Sequence, residues 1–129
     1  MGQNEDIHYI YISGPLTTGH HILQDMGNAC DMATELMIHG YAVYLPHLSV
    51  IWSLQAEHSD GIESYEPWMR HDFSWIMKCD AILRMKGDSR GADREVEFAK
   101  RNLIPVFYSV DDLDDYFIYK AEREEDNNV

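Results

Sequence analysis

Four short runs of apolar, β-favouring residues recur along the chain, and longer stretches with helical periodicity separate them. The runs cover residues 7–12, 41–45, 81–85 and 104–108. Runs of this length and composition predict β-strands. Strands that alternate with helices along a chain form a parallel sheet covered by helices. The pattern therefore predicts an α/β fold.

Apolar residues at spacings of three and four predict four helices, one after each strand, because that spacing places side chains on one helix face. The residues that carry the patterns are Leu23, Met26, Cys30, Ala33 and Met37; Trp68, Asp72, Trp75 and Cys79; Ala92, Val96, Ala99 and Leu103; and Leu113, Phe117 and Ala121. Gly40 is typical of a helix end, and Ser64 and Pro67 are typical of a helix start. Segment 46–66 is long for a connection, so it is expected to be a lid or to contain a short helix of its own.

Composition and charge narrow the class of protein. The 129 residues, 45% of them hydrophobic, fit a single domain over 1–129 with one core. The net charge of -13 leaves few cations for a basic face, so polymeric nucleic acid is not an expected partner. A small anion is still compatible with this charge, because local backbone dipoles bind it. The acidic residues 122–129 are expected to form a frayed tail.

No targeting or membrane segment is expected. The opening MGQNEDIH has no apolar run, and no stretch approaches the roughly 20 apolar residues that span a bilayer. Cys30 and Cys79 lack the spacing of a metal site or a disulfide, so they are expected to be buried reduced thiols. These features predict a cytoplasmic protein that does not bind membranes.

Parallel α/β sheets bind ligands beyond the carboxyl ends of their strands, which places candidate chemistry in residues 13–21, 46–66, 86–92 and 109–112. Several histidines lie in or near these segments, namely His20, His21, His47, His58 and His71. Their spacings match no common ligand pattern. We therefore expect neither a metal nor a cofactor.

Glu95 and Glu97 lie two positions apart on the third predicted helix. At about 100° per residue, Ala92, Val96 and Ala99 form the sheet-facing stripe. Glu95 lies on the border of this stripe, whereas Glu97 faces water. Two interpretations of Glu95 remain open: a boundary carboxylate paired with Arg94 or Lys100, or a partly buried group beside the exit of the third strand.

A second carboxylate and an anion-binding turn lie near Glu95 in this arrangement. Asp72 is on the apolar side of the preceding helix, where it is either paired near Arg70 or part of a site. Ser89, Gly91 and the free amides of the first helical turn form a pocket suited to an anion.

Three motifs resemble the nucleoside 2-deoxyribosyltransferase-like superfamily. They are YISGP at the first strand exit, WMRHDFSWIMKCDAIL and SRGADREVEFAK, and the resemblance covers residues 7–108. Relatives include nucleoside deoxyribosyltransferases, deoxynucleoside 5'-monophosphate N-glycosidases and pyrimidine-nucleotide hydrolases. The resemblance implies a single-domain, flavodoxin-like (Rossmann-like) three-layer sandwich, which we expect to have four parallel strands in the order 2-1-3-4 and helices on both faces.

The resemblance also implies roles for individual residues. Glu95 would attack the sugar C1', and Asp72 would hold a sugar hydroxyl or help the base to leave. The substrate-binding residues it implies are Tyr11, Ser13, Gly14, Pro15, Ser89, Gly91 and Ala92. Breaking an N-glycosidic bond builds positive charge at C1', which an ionised carboxylate stabilises. We therefore expect Glu95 to be charged at neutral pH.

Two features depart from the relatives. The first loop, SGPLTTGHH, lacks their arginine or second serine, so Thr17, Thr18 and His20 are candidates to replace it. The usual fifth strand is also missing. We expect a partner copy to cover the shortened sheet edge, in a homodimer or higher homo-oligomer.

The function expected from these motifs is hydrolysis of the N-glycosidic bond of a nucleoside 5'-monophosphate or nucleoside. Deoxyribosyl transfer, or nucleotide sensing without catalysis, are the alternatives on the same fold. His47 is expected to contact the base or to be a surface loop residue. Trp52 and Trp68 are expected to sandwich the base or to be core or interface anchors.

Overall fold

The computed structural model describes residues 6–16, 21–59 and 65–127, with side chains described for 6–16, 21–56 and 66–119. Strands and helices alternate through these residues. In chain order they are β1 (Tyr9–Ser13), α1 (Ile22–Ile38), β2 (Ala42–Tyr44), a 3₁₀ turn (Pro46–Ser49), α2 (Val50–Ser59), α3 (Tyr65–Ile76), β3 (Ala81–Arg84), α4 (Arg90–Arg101), β4 (Val106–Phe107) and α5 (Val110–Asn127).

The strands form one parallel sheet in the order β2-β1-β3-β4. Ile10 of β1 lies opposite Val43 on one side and Ala81 on the other, and Ile82 of β3 lies opposite Val106. The chain moves outward from β1 to β2 and then crosses back to β3, so strand order reverses around β1. The predicted α/β class, strand number and strand order are confirmed.

Alternating side chains of β1 face two different cores, as the pleat of a strand requires. Ile10 and Ile12 pack with Leu36 of α1 and Leu113 of α5. On the other face, Tyr11 packs in a cluster that includes Ile76 of α3 and Ala99 of α4. The molecule is therefore a three-layer Rossmann-like sandwich. Each fully buried large aliphatic side chain in these cores contributes about 1.5–3 kcal/mol to folding.

The buried face of α1 differs from the predicted one. Ala29 and Leu36 are fully buried, whereas Leu23 is 80% exposed and Met37 67% exposed. The prediction that Leu23 and Met37 face the sheet is therefore wrong. The helix has a second apolar stripe with spacings of three and four, and this second stripe packs against the sheet. Its residues are Ala29, Met32, Ala33 and Leu36. The predicted end is confirmed: Gly40 has φ +96° and bonds back to Met37.

Two predicted helical residues lie beyond the ends of their helices. α3 ends at Ile76, so Cys79 lies in the following turn, where it is half-buried. α4 ends at Arg101, and Leu103 has φ +61° and is 90% exposed. The prediction that Leu103 faces the sheet is wrong, because Leu103 takes the left-handed conformation that ends the helix. The amide of the next residue, Ile104, donates to the Ala99 carbonyl at 2.9 Å.

The long connection after β2 contains a helix of its own, α2. This confirms the expectation of a short helix in segment 46–66. Ser64 lies outside the described residues, and Pro67 is the third residue of α3. α5 continues to Asn127 and so takes in most of the predicted acidic tail. Within the described residues, no helix combines the length and the apolar character that crossing a membrane requires.

The loops after β1 and β3 pack against each other at the carboxyl ends of the strands. Gly87 has φ +117°, and a Cβ placed on it would lie 2.6 Å from Cγ of Pro15. Arg84 donates hydrogen bonds to the carbonyl oxygens of Met85 and Gly87 and to Oδ1 of Asp93, the last two at 3.0 Å. These contacts hold the turn that leads into α4 in place.

Candidate functional site

A cavity of about 390 Å³ opens at the carboxyl ends of β1, β2 and β3. Its walls come from the loop after β1, the 3₁₀ turn and α2, one face of α3, and the first turns of α4. Strand order reverses at this position, which is where open parallel sheets bind ligands. The volume is within the range of small-molecule sites.

Glu95 forms part of the cavity lining and is only 6% exposed. The Tyr11 hydroxyl donates to Glu95 Oε2 at 2.6 Å, and the Ser13 hydroxyl donates to Oε1 at 2.7 Å. Tyr11 and Ser13 are two residues apart on β1, so their side chains point to the same face of the sheet. Distances this short are typical of hydroxyls bonded to an ionised carboxylate. Both carboxyl oxygens are therefore held in place, and each keeps a lone pair.

The position of Glu95 follows from the start and the face of α4. Ser89 caps the helix, and its Oγ accepts the Ala92 amide at 3.1 Å. Ala92, Glu95 and Ala99 make up the buried face, whereas Glu97 is exposed and lies 3.9 Å from Arg101. The predicted difference between the two glutamates is confirmed.

The alternative in which Glu95 pairs with Arg94 is not observed. Arg94 Nη1 instead donates to Glu66 Oε1 of α3 at 2.7 Å. Asp72 likewise has His71 as its ion-pair contact, at 3.6 Å, in place of the Arg70 considered from the sequence. The carboxyl groups of both Glu95 and Asp72 are thus directed toward the site.

Burial dominates the titration of the two carboxyl groups. It raises the pKa of Asp72 to about 6, against the opposing effect of hydrogen bonds with Glu95 and Tyr11. It raises the pKa of Glu95 to about 7, although the hydroxyls of Tyr11 and Ser13 favour the ionised form. Burial thus opposes the predicted charge of Glu95 at neutral pH, whereas its two hydroxyl donors favour that charge. Burial also raises the pKa of Tyr11 well above its usual value, so Tyr11 stays a donor.

His47 is 2% exposed and lines the cavity, so the surface-loop interpretation is wrong. Its Nε2–H donates to the Pro15 carbonyl oxygen at 3.1 Å. Burial lowers the pKa of His47, more than the Pro15 carbonyl raises it, which keeps the ring neutral. Among the described residues, His47 Nδ1 is a buried side-chain nitrogen with no hydrogen-bond partner.

Residues 46–53 form a wall of the cavity within the segment 46–66 where the sequence placed candidate chemistry, but sequence reasoning did not single out its two serines. Ser49 and Ser53 line the cavity, and their hydroxyls donate to the carbonyls of Pro46 and Val50, each at 2.7 Å. The signal available in the sequence was the spacing of four between the serines, which places both on one face of a helix. That signal required knowing that α2 begins at Val50.

The two tryptophans considered for the base do not form a sandwich. Trp52 packs edge-to-face on Trp68, with ring centroids 4.8 Å apart, so no ring fits between them. Trp68 lines the cavity together with Met69, which sequence reasoning had not singled out. These two side chains of α3 supply part of its apolar surface, together with Leu16, Pro46 and Val50.

The structure brings most of the predicted site residues together. Those that line the cavity are Gly14, His47, Asp72, Ser89, Gly91, Ala92 and Glu95. Tyr11 and Ser13 contact it through Glu95, whereas Pro15 lies behind His47 and is not part of the lining. Thr17, Thr18 and His20 lie outside the described residues, as does the side chain of His58. Among the described side chains, no three of His, Cys, Asp or Glu are grouped closely enough to hold a metal ion.

Comparison with known families identifies one match. The model of a family described as a domain of unknown function, DUF4406, matches residues 8–108. A comparison with curated proteins finds no match. The matched residues run from β1 to just past β4 and include every residue that lines the cavity. The chain therefore belongs to the DUF4406 family.

Proposed function

We propose that this protein cleaves the N-glycosidic bond of a nucleoside 5'-monophosphate or nucleoside, with Glu95 attacking C1' of the sugar. The observation that carries the proposal is a buried carboxyl group held on both oxygens, by Tyr11 and Ser13, inside a cavity at the switch point of the sheet. The resemblance of the surrounding motifs to nucleoside 2-deoxyribosyltransferase-like enzymes supports the same assignment.

The cavity has three regions that match the parts of a nucleotide. Because β1 lies between β2 and β3, the cavity extends from the start of α4, past Glu95 and Asp72, to the 3₁₀ turn and α2. At the α4 end, first-turn amides and the Ser89 hydroxyl are donors suited to a phosphate. The sugar then lies over the two carboxyl groups, and the base lies against the 46–53 wall.

The chemistry is a displacement at C1'. One Glu95 oxygen forms a bond to C1' while the bond from C1' to the base nitrogen breaks and its electron pair leaves with the base. Positive charge developing on the sugar favours the ionised form of Glu95. The two carboxyl groups share a proton, and the developing charge at C1' favours its position on Asp72, which then delivers it to the departing base.

The second step decides between the two enzyme classes. Water that attacks C1' of the glycosyl–Glu95 ester gives its proton to the Asp72 carboxylate, and the C1'–Oε bond breaks to release the sugar phosphate and restore the Glu95 carboxylate, which completes hydrolysis. A second base that attacks the same carbon gives deoxyribosyl transfer. Both outcomes use the same residues, so they differ only in which acceptor reaches C1' first.

The test compares two variants with the same chemical change, Glu95→Gln and Glu97→Gln. The purified proteins are incubated with ribo- and deoxyribonucleosides and their 5'-monophosphates, and free base is measured by chromatography. We expect Glu95→Gln to lower base release by roughly 10³-fold or more, because an amide is not a nucleophile at C1'. Glu97→Gln, at the exposed position, is expected to match the unmodified protein.

Two outcomes contradict the proposal. Base release that persists in Glu95→Gln with the fold intact rules out the proposed nucleophile. Tight nucleotide binding by the unmodified protein with no base release from any substrate rules out the enzyme and supports a nucleotide sensor.

A further inference from the structure

The 46–53 wall presents hydrogen-bond acceptors to the cavity. A serine hydroxyl has one hydrogen to donate and two lone pairs. Ser49 and Ser53 each donate that hydrogen to a backbone carbonyl at 2.7 Å, so both face the cavity as acceptors.

His47 adds a third acceptor to the same wall. Its Nε2 carries the hydrogen, because its partner, the Pro15 carbonyl, only accepts. In the neutral ring, Nδ1 therefore carries a lone pair, and this buried atom has no partner among the described residues. An unpaired buried acceptor is unfavourable, so a ligand whose donor reaches Nδ1 is stabilised.

The opposite end of the cavity has the reverse polarity. Ser89 Oγ accepts the Ala92 amide, which leaves its hydroxyl hydrogen to donate into the cavity. The amides of the first turn of α4 donate there as well. The cavity thus presents donors at the α4 end and acceptors at the 46–53 wall.

We infer that the 46–53 wall selects a base that carries an exocyclic amino group, as adenine, cytosine and guanine do, over hypoxanthine, uracil and thymine. The inference rests on the proposed function for the position of the base and assigns specificity to Ser49, Ser53 and His47. An amino group donates to these acceptors. A carbonyl oxygen in its place, or the hydrogen that hypoxanthine carries where guanine has its amino group, gives these acceptors no donor, and a site built for a donor rejects such a base.

The test uses pairs of 5'-monophosphates that differ by an amino group: AMP and IMP, GMP and IMP, and CMP and UMP. Base-release kcat/KM is measured for each, and dissociation constants are measured by calorimetry whether or not base is released. The preferred nucleotide is expected to carry an amino group and to exceed its partner by roughly tenfold or more. A preference for IMP or UMP, or a ratio below about threefold in the preferred pair, overturns the inference.

Serine variants locate the selectivity. Replacing both Ser49 and Ser53 by alanine is expected to reduce the ratio within the preferred pair to about threefold or less. Ser74→Ala is the matched control, because the Ser74 hydroxyl also donates to a helix carbonyl, that of Arg70 at 2.9 Å, but lies on the exposed side of α3. A ratio that persists in the double variant overturns the assignment to this wall.

The two proposals fail in different ways. Base release with no preference for amino-bearing bases leaves the proposed function in place and removes the inference. A tenfold binding preference with no base release removes the proposed function and leaves the specificity of the wall. Failure of all the monophosphates and of the matching nucleosides to bind removes both.

Discussion

At the scale of single residues, Glu95 and Glu97 are identical side chains in opposite environments. A helix turns about 100° per residue, so two positions carry a side chain from the buried face to the solvent. Glu95 contacts Tyr11 and Ser13 and is nearly inaccessible, whereas Glu97 is exposed and lies 3.9 Å from Arg101 on its own helix. Burial of Glu95 is unfavourable for its charged form.

The unfavourable burial of the charged Glu95 carboxylate predicts a pH-dependent effect of Glu95→Gln on stability. The pKa of Glu95 is raised from 4.5 to about 7 in the fold, so the folded state holds the proton more tightly than the unfolded chain. Stability is therefore lost as pH rises from about 4.5 through about 7. Glu95→Gln removes this loss of stability. We therefore expect the free energy of unfolding of the variant, relative to the unmodified protein, to be on the order of 2 kcal/mol higher at pH 8 than at pH 5.

Urea denaturation at both pH values measures this difference, because contacts of the amide that do not depend on pH cancel between them. Glu97→Gln is the matched control and is expected to change stability equally at the two pH values. An equal effect of Glu95→Gln at pH 5 and pH 8 would contradict a raised pKa for Glu95 in the folded protein.

At the scale of elements, the site depends on the contact between the loops after β1 and β3. Gly87 has a positive φ and lies against Pro15, and Arg84 holds the same turn through two backbone carbonyls and Asp93. This turn leads to Ser89 and the start of α4. Its position therefore sets where the donors at the α4 end of the cavity lie relative to Glu95.

The glycines of the chain offer a matched pair for testing this contact. Gly87→Ala is expected to lower the free energy of unfolding by about 1–3 kcal/mol, because the new methyl group meets Pro15 and the backbone conformation is strained. Gly27→Ala is expected to raise it by roughly 0.5–1 kcal/mol, because Gly27 lies within α1 with nothing within 4 Å of its added carbon.

Thermal or urea unfolding of the two variants measures the contrast. The same chemical change then has opposite signs in one protein. A neutral or stabilising Gly87→Ala would show that the two loops separate freely, and the α4 end of the cavity would no longer have a defined position.

At the scale of the whole molecule, the net charge of -13 disfavours long polyanions but is compatible with a small anion at the start of α4. The expectation of a second copy at the short sheet edge stays a prediction. β4 has two residues, and Leu103 and Tyr108 beside it are 90% and 60% exposed. An unpaired strand edge with exposed apolar neighbours is a surface that proteins commonly cover.

Sedimentation velocity at increasing salt tests this prediction. Because two copies that each carry -13 repel one another, we expect a dimer whose dissociation constant decreases as salt screens the repulsion. Sedimentation as a monomer of 15.0 kDa at every salt concentration would contradict it.

Local patterns in the sequence determined the class of fold, the four strands and the separation of Glu95 from Glu97, because each depends on periodicity within one segment. The same kind of pattern could not predict which of the two apolar stripes of α1 faces the sheet, or that α4 ends before Leu103. Tertiary packing decided both.

Only the tertiary structure decided the contacts of the site. Tyr11 and Ser13 lie 84 and 82 positions from Glu95. The 46–53 wall faces the cavity because the 3₁₀ turn packs against β1 and Trp52 of α2 packs against Trp68 of α3. Burial then determined the charge states, raising the pKa of Glu95 and keeping His47 neutral. The residue types are written in the chain, but their distances and their exclusion from water arise only when distant segments pack together.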